Sequence, residues 1–259
     1  MEAFVGIDLA IAKRKRLPVA LCAWKGNRLL PFELGSHSAP EPPRGKGNVA
    51  TLHPATVDAF AGDVLAYLHR LENHFRVSIR RIAIDAPSAP RRESLGRRQA
   101  EVALDGNKIS CFATPNVAEF KAIHDKVRSH LERGGGESNL PHANQLWMLA
   151  GFKLFERLGE EWECIEVFPQ ATMKVLGAAS VHKSKAVGVS SQLEAVARCT
   201  GWPDSQTQEP LHALKRAVCG PAHDGIDAYA SAWIAALDSS EREALGAPPD
   251  DAIWVPRKS

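Results

Sequence analysis

The chain has no apolar run approaching the ~20 residues that a membrane-spanning helix needs. Its opening, MEAFVGIDLA, lacks the basic and then apolar layout of a secretory signal. The first absence removes any demand for burial in lipid; the second makes export unexpected and leaves these residues to read as a first strand. The five cysteines, Cys22, Cys111, Cys164, Cys199 and Cys219, include no CxxC pair and no histidine at zinc-finger distance. Widely spaced and odd in number, they read as reduced, mostly buried thiols of a cytoplasmic protein. No internal repeat or low-complexity tract is present. A strong charge bias is missing too: a net charge of +2 and a pI near 8.3 permit a polyanionic partner without arguing for one.

What remains is a globular composition, 44% hydrophobic and 24% charged over 259 residues. That length favours a single large domain, residues 1–259, carrying insertions. Three strands in series are expected at Phe4–Leu9, Val19–Trp24 and Leu29–Leu34, the last two joined across the turn Lys25-Gly26-Asn27. Residues 35–55 hold four prolines and three glycines and read as a surface loop. Helical spacing then runs from Ala55 to Phe75, and Ile79–Asp85 is a strand stopped at Pro87. A polar and helical insertion occupies about 90–160, including a helix from His142 to Leu158. A buried strand Cys164–Phe168 and further helices to Leu237 complete the reading.

Carboxylates fall where packed elements meet turns. Asp8 closes the run Phe4–Ile7, Asp85 closes Ile82–Ile84, Glu166 lies in IEVFP, and Asp224 and Asp227 open DGIDAYASAWIAAL. A carboxylate ending an apolar strand is costly unless a cation or hydrogen-bond donors compensate it. Converging carboxylates repel each other, and a hard divalent ion is the usual remedy. The i, i+3 spacing puts Asp224 and Asp227 on one helix face, with Ile226, Ala230, Trp233, Ile234 and Leu237 on another. If the first and fourth strands lie side by side, Asp8 and Asp85 meet that pair, a two-metal arrangement suited to in-line phosphoryl displacement. Plainer roles stay open for each residue: a turn-capping Asp8, a turn-starting Asp85, a solvent-facing Glu166, and Asp224 as helix N-cap.

The ordered segments GIDLA, IAIDAP, IEVFP, HKSK and HDGIDAYASA closely resemble the family catalogued as domain of unknown function 429, regarded as predicted nucleases of ribonuclease H fold. The match runs from Val5 to about Ala236. It implies an α/β fold, ribonuclease H-like, with a mixed five-stranded sheet of order 3-2-1-4-5 and helices on both faces. It also implies Mg²⁺ or Mn²⁺ held by Asp8, Asp85, Asp224 and Asp227, with Glu166 as a further acidic member. The first-strand, fourth-strand and DxxD pattern is similar to Holliday-junction resolvases of the same superfold, which implies a homodimer, although no dimer surface is legible.

A phosphodiester needs cations near the acids. Lys13, Arg14, Lys15 and Arg16 follow Asp8; Arg91, Arg92, Arg97 and Arg98 follow Asp85; Lys183 and Lys185 follow Glu166. Each cluster is a candidate phosphate contact, and each also reads as a solvated face. His182 and His223 adjoin the motifs as candidate proton carriers. The expected activity is a metal-dependent nuclease acting on nucleic acid. The alternatives are a non-catalytic nucleic-acid or protein binding module and an ATP-dependent phosphotransferase of the actin and sugar-kinase superfold. The last lacks here both the length and the second glycine-rich loop.

Overall fold

In the computed structural model, which describes residues 1–178, 185–204 and 209–258, the period-2 alternation of the first strand organises everything else. Strand β1 (Glu2–Asp8) sends Ala3, Val5 and Ile7 to one face of a sheet, and Phe4, Gly6 and Asp8 to the other. It pairs antiparallel with β2 (Val19–Lys25), which pairs antiparallel with β3 (Arg28–Pro31). Helix α1 (Pro54–Phe75) leads into β4 (Ser78–Asp85), which lies parallel to β1 with Asp8 opposite Asp85.

Between β4 and the next strand come helices α2 (Gln99–Gly106), α3 (Val117–Glu132), α4 (Ala143–Leu146) and α5 (Met148–Leu158). Strand β5 (Glu163–Glu166) then adds parallel to β4. Helices α6 (Pro169–Val175), α7 (Ala186–Thr200), α8 (Pro210–Ala217) and α9 (Ala222–Ala236) follow, and a hairpin of β6 (Arg242–Ala247) and β7 (Asp251–Pro256) ends the described chain. The sheet order is β3-β2-β1-β4-β5. Helices α1 and α5 cover the face of Val5 and Ile7; α7, α8 and α9 cover the face of Phe4 and Ala83. This is the mixed α/β arrangement that the resemblance implied.

Helix α9 is the central helix of its layer, buried at every position from Asp224 to Ala236. The sequence suggested a helix with one apolar face, but α7 and α8 pack against its outer sides and leave it no solvent face. Its approach to β1 is set by Gly6. A Cβ at that position would lie 2.0 Å from the Ala228 carbonyl oxygen and 2.3 Å from the Ala232 nitrogen, so only a residue without a side chain admits the helix backbone. From the middle of β4, the buried Arg81 donates through Nη1 to the carbonyl oxygens of Ala235 (2.8 Å) and Leu237 (3.1 Å), satisfying the C-terminus of α9.

Several expectations differ in detail: the strand expected over Cys164–Phe168 stops at Glu166, a 3₁₀ turn at Asn48–Leu52 interrupts the loop of residues 35–55, and Cys22 alone of the five thiols is buried. The third strand ends at Pro31 rather than Leu34: after one more bond, from the Phe32 N–H to the Leu21 carbonyl (2.8 Å), the chain turns away, the Leu34 N–H donating to the Phe32 carbonyl (3.0 Å). The helix expected over His142–Leu158 breaks at Trp147 into α4 and α5, which lets the nearby Leu146 and Met148 both be buried in the core of the insertion. The hairpin after Leu237 was not expected; its strands are short, and the turn between them contains Pro248-Pro249.

Gly6→Ala should cost several kcal/mol, because the clash is with backbone that cannot rotate away. Gly62→Ala, in the middle of α1 with nothing within 4 Å of its Cβ, should stabilise by about 0.5–1 kcal/mol. Paired urea denaturation curves check both; a Gly6→Ala protein of wild-type midpoint would contradict the packing described.

Candidate metal centre

Parallel register places Asp8 and Asp85 side by side on the α9 face at the ends of β1 and β4. The Gly6 contact brings the first turns of α9 over those strand ends, and Asp227, only 3% exposed, completes the group. Each of the three carboxylates offers one oxygen, and these oxygens lie within 4.8 Å of one another. Three anionic oxygens in that radius form a hard donor set of the kind that suits Mg²⁺ or Mn²⁺.

The other two predicted acids lie outside this trio. Asp224 is in the first turn of α9 rather than at its N-cap, which is Pro221. It is 7% exposed and held by Lys15, whose Nζ is 2.5 Å from Oδ2, while the ring Nε2 of His223 is 3.2 Å from Oδ1. Glu166 is excluded by parity. It pairs in register with Ile84, which faces α1, while its neighbours Ile165 and Val167 point to the α9 side. There it is fully matched: Arg98 donates through Nη1 and Nη2 to its two oxygens, both at 2.8 Å, and the Ser88 N–H donates at 2.8 Å. Burial pushes the Glu166 carboxyl up, against the pull of Arg98. Burial also opposes the charge of Arg98, but Glu166 and Asp251 outweigh it and keep the guanidinium protonated.

The predicted cations divide sharply. Arg91 is bound to Glu119, Arg92 to Asp250, Arg97 to Glu101 and Asp105, and Arg98 to Glu166 and Asp251. Arg98 therefore ties the insertion and the hairpin to the sheet, Arg92 joins the insertion to the hairpin turn, and Arg91 and Arg97 bind within the insertion. Asp251 also accepts from the N–H groups of Gln99 (2.6 Å) and Ala100 (3.3 Å), capping α2 from the hairpin. Lys185 is the exposed N-cap residue of α7. His182 and Lys183 lie outside the described residues.

Lys13 and Arg14 belong to a larger basic ridge that was not visible in the sequence. The loop after β1 and the loop of residues 35–55 are bonded together. The Arg14 N–H donates to the Gly45 carbonyl (3.3 Å), the Gly45 N–H to the Lys15 carbonyl (2.8 Å), and the Gly47 N–H to the Ile11 carbonyl (2.6 Å). Arg44 and Lys46 thereby join Lys13, Arg14, Lys15 and Arg16, of which Lys15 reaches Asp224. Four of these are paired: Lys13 with Glu137, Lys15 with Asp224, Arg16 with Glu41 and Lys46 with Asp63.

The sheet and the trio together define an α/β protein with a three-carboxylate site at the edge where two parallel strands end. The family model described as protein of unknown function (DUF429) matches residues 6–252, and the chain belongs to that family. Comparison with curated proteins and with solved structures gave no match.

Removing one member of a buried ion pair strands the other. Arg98→Ala should therefore destabilise by about 3–5 kcal/mol, whereas Arg98→Met combined with Glu166→Gln should recover most of that loss. Chemical denaturation of the two variants beside wild type reads the difference.

Proposed function

We propose that the chain is a divalent-metal-dependent phosphodiester hydrolase acting on nucleic acid. The observation that carries this reading is the convergence of Asp8, Asp85 and Asp227 from two strands and a helix onto one point. Asp8, Asp85 and Asp227 are the residues that would hold Mg²⁺ or Mn²⁺. When bound there, such an ion supplies activation of water and stabilisation of the charge that develops on phosphate oxygens.

The remaining residues act around that centre. Lys15 and His223 both contact the carboxylate of Asp224, one helical turn before Asp227, which supports a role for His223 as proton carrier in this reading. The ridge formed by the two interlocked loops presents Arg14 and Arg44 to a phosphate backbone, with Lys13 and Lys46 in exposed ion pairs that a phosphate would replace, and orients it without reading its sequence. Among the described residues no helix is long and apolar enough to cross a membrane.

Titration of Mn²⁺ followed by calorimetry should show saturable binding to wild type that is lost in Asp8→Asn. In a screen of DNA and RNA substrates, Asp85→Asn and Asp227→Asn should lower Mn²⁺-dependent cleavage by about a hundredfold or more. Three variants that bind Mn²⁺ and cleave like wild type would remove the reading. Nucleic-acid binding that persists in EDTA, with no cleavage of any substrate, would favour a non-catalytic module instead.

A further inference from the structure

A cavity of about 330 Å³ opens next to the trio, with Asp85 in its wall. Its size is at the lower end of the ~300–1,000 Å³ found for small-molecule sites. The lining is largely apolar, and Phe112, Trp147 and Phe168 contribute three aromatic rings to it. Phe112 is 59% exposed, a large apolar ring left in solvent at the edge of a cavity. Thr114 lines the same cavity and is 0% exposed, and its Oγ1 has no hydrogen-bond partner among the described residues. A buried hydroxyl without a partner is costly unless something else supplies one.

The charged groups of the cavity narrow the choice of occupant. Arg98 is committed to Glu166 and Asp251, and Glu101 to Arg97 and the Thr114 N–H. With its guanidinium engaged and the Asp85 carboxylate in its wall, the cavity does not suit an anion such as a phosphate. It suits a flat, neutral ring with a polar edge: the ring stacks on the aromatic side chains and the edge satisfies the Thr114 hydroxyl.

We propose that this cavity receives one unstacked nucleobase of a single-stranded nucleic acid, placing the adjoining phosphate at Asp8, Asp85 and Asp227. The position of the phosphate rests on the metal-dependent reading above; the recognition of the base does not. Taking a base out of the stack and into a pocket beside the reacting centre is how proteins bring a chosen nucleotide to catalytic groups, and base-on-aromatic stacking tolerates any sequence.

The test uses the full chain and a short single-stranded oligonucleotide carrying one 2-aminopurine, beside the same oligonucleotide with an abasic site at that position and beside free 2-aminopurine nucleoside monophosphate. Binding is followed in Mn²⁺ and in EDTA for wild type, Phe112→Ala and Thr114→Val. Phe112 is exposed and its truncation should leave the fold intact; Thr114→Val removes only the unpartnered hydroxyl. Wild type should quench 2-aminopurine emission and bind the abasic strand about tenfold more weakly. Phe112→Ala should bind both strands equally, at the weaker level, and Thr114→Val should lose part of the discrimination.

Equal affinity of wild type for the two strands, failure to bind either, or an equal loss on both in Phe112→Ala would overturn the proposal. Equal affinity for the free monophosphate and the strand would overturn the assignment to a strand. Asp8→Asn keeps the two readings apart: base discrimination should survive in it while Mn²⁺ uptake is lost. Mn²⁺ uptake unchanged in that variant would remove the metal-dependent reading and leave the base pocket to be judged on discrimination alone.

Discussion

The seating of α9 on β1 through Gly6 is the contact on which the rest of this molecule depends. Because the helix backbone meets the strand without an intervening side chain, the carboxylate of Asp227 reaches two strand ends that carry carboxylates of their own. The same close approach makes α9 the shared wall of the α7 and α8 layer, and it is why a helix bearing two aspartates is buried throughout. Sheet, helical layer and acid trio are thus one packing solution.

Buried charge at the end of β5 is handled by pairing. Arg98 serves Glu166 and Asp251 as a common partner and joins strand β5, the start of α2 and the terminal hairpin. Arg81 and Arg242 both bind Glu163. Asp227 is as deeply buried as Glu166, and one of its oxygens lies within 4.8 Å of those of Asp8 and Asp85.

The strands and the main acids were legible because their signals are local. An apolar run closed abruptly by a carboxylate identifies β1 and β4, and DGID at the start of an alanine-rich helix identifies α9. The third strand, the α4–α5 break and the terminal hairpin were harder to read, since their limits depend on partners far along the chain. The same holds for the cations. The arginines after Asp85 look like a phosphate-binding run until Glu119, Asp250 and Glu166 arrive from other elements to bind them. Arg44 and Lys46 join the basic ridge only through backbone bonds between two loops. For Glu166 the signal was present but ambiguous: the parity of Ile165 and Val167 already places it on the face away from Asp85.

The grip of Arg81 on the C-terminus of α9 has a metric consequence. From Arg81 to Asp85 the strand advances about 13 Å, and from Asp227 to Ala235 the helix, running the opposite way, advances about 12 Å. Strand and helix are therefore two rulers of nearly equal length, pinned together at one end by the arginine and meeting at the other in the acids. The spacing of the trio is set by the pitch of regular structure rather than by any loop. The long segment between β4 and β5 can then change in length or sequence among relatives without altering the distance across the site.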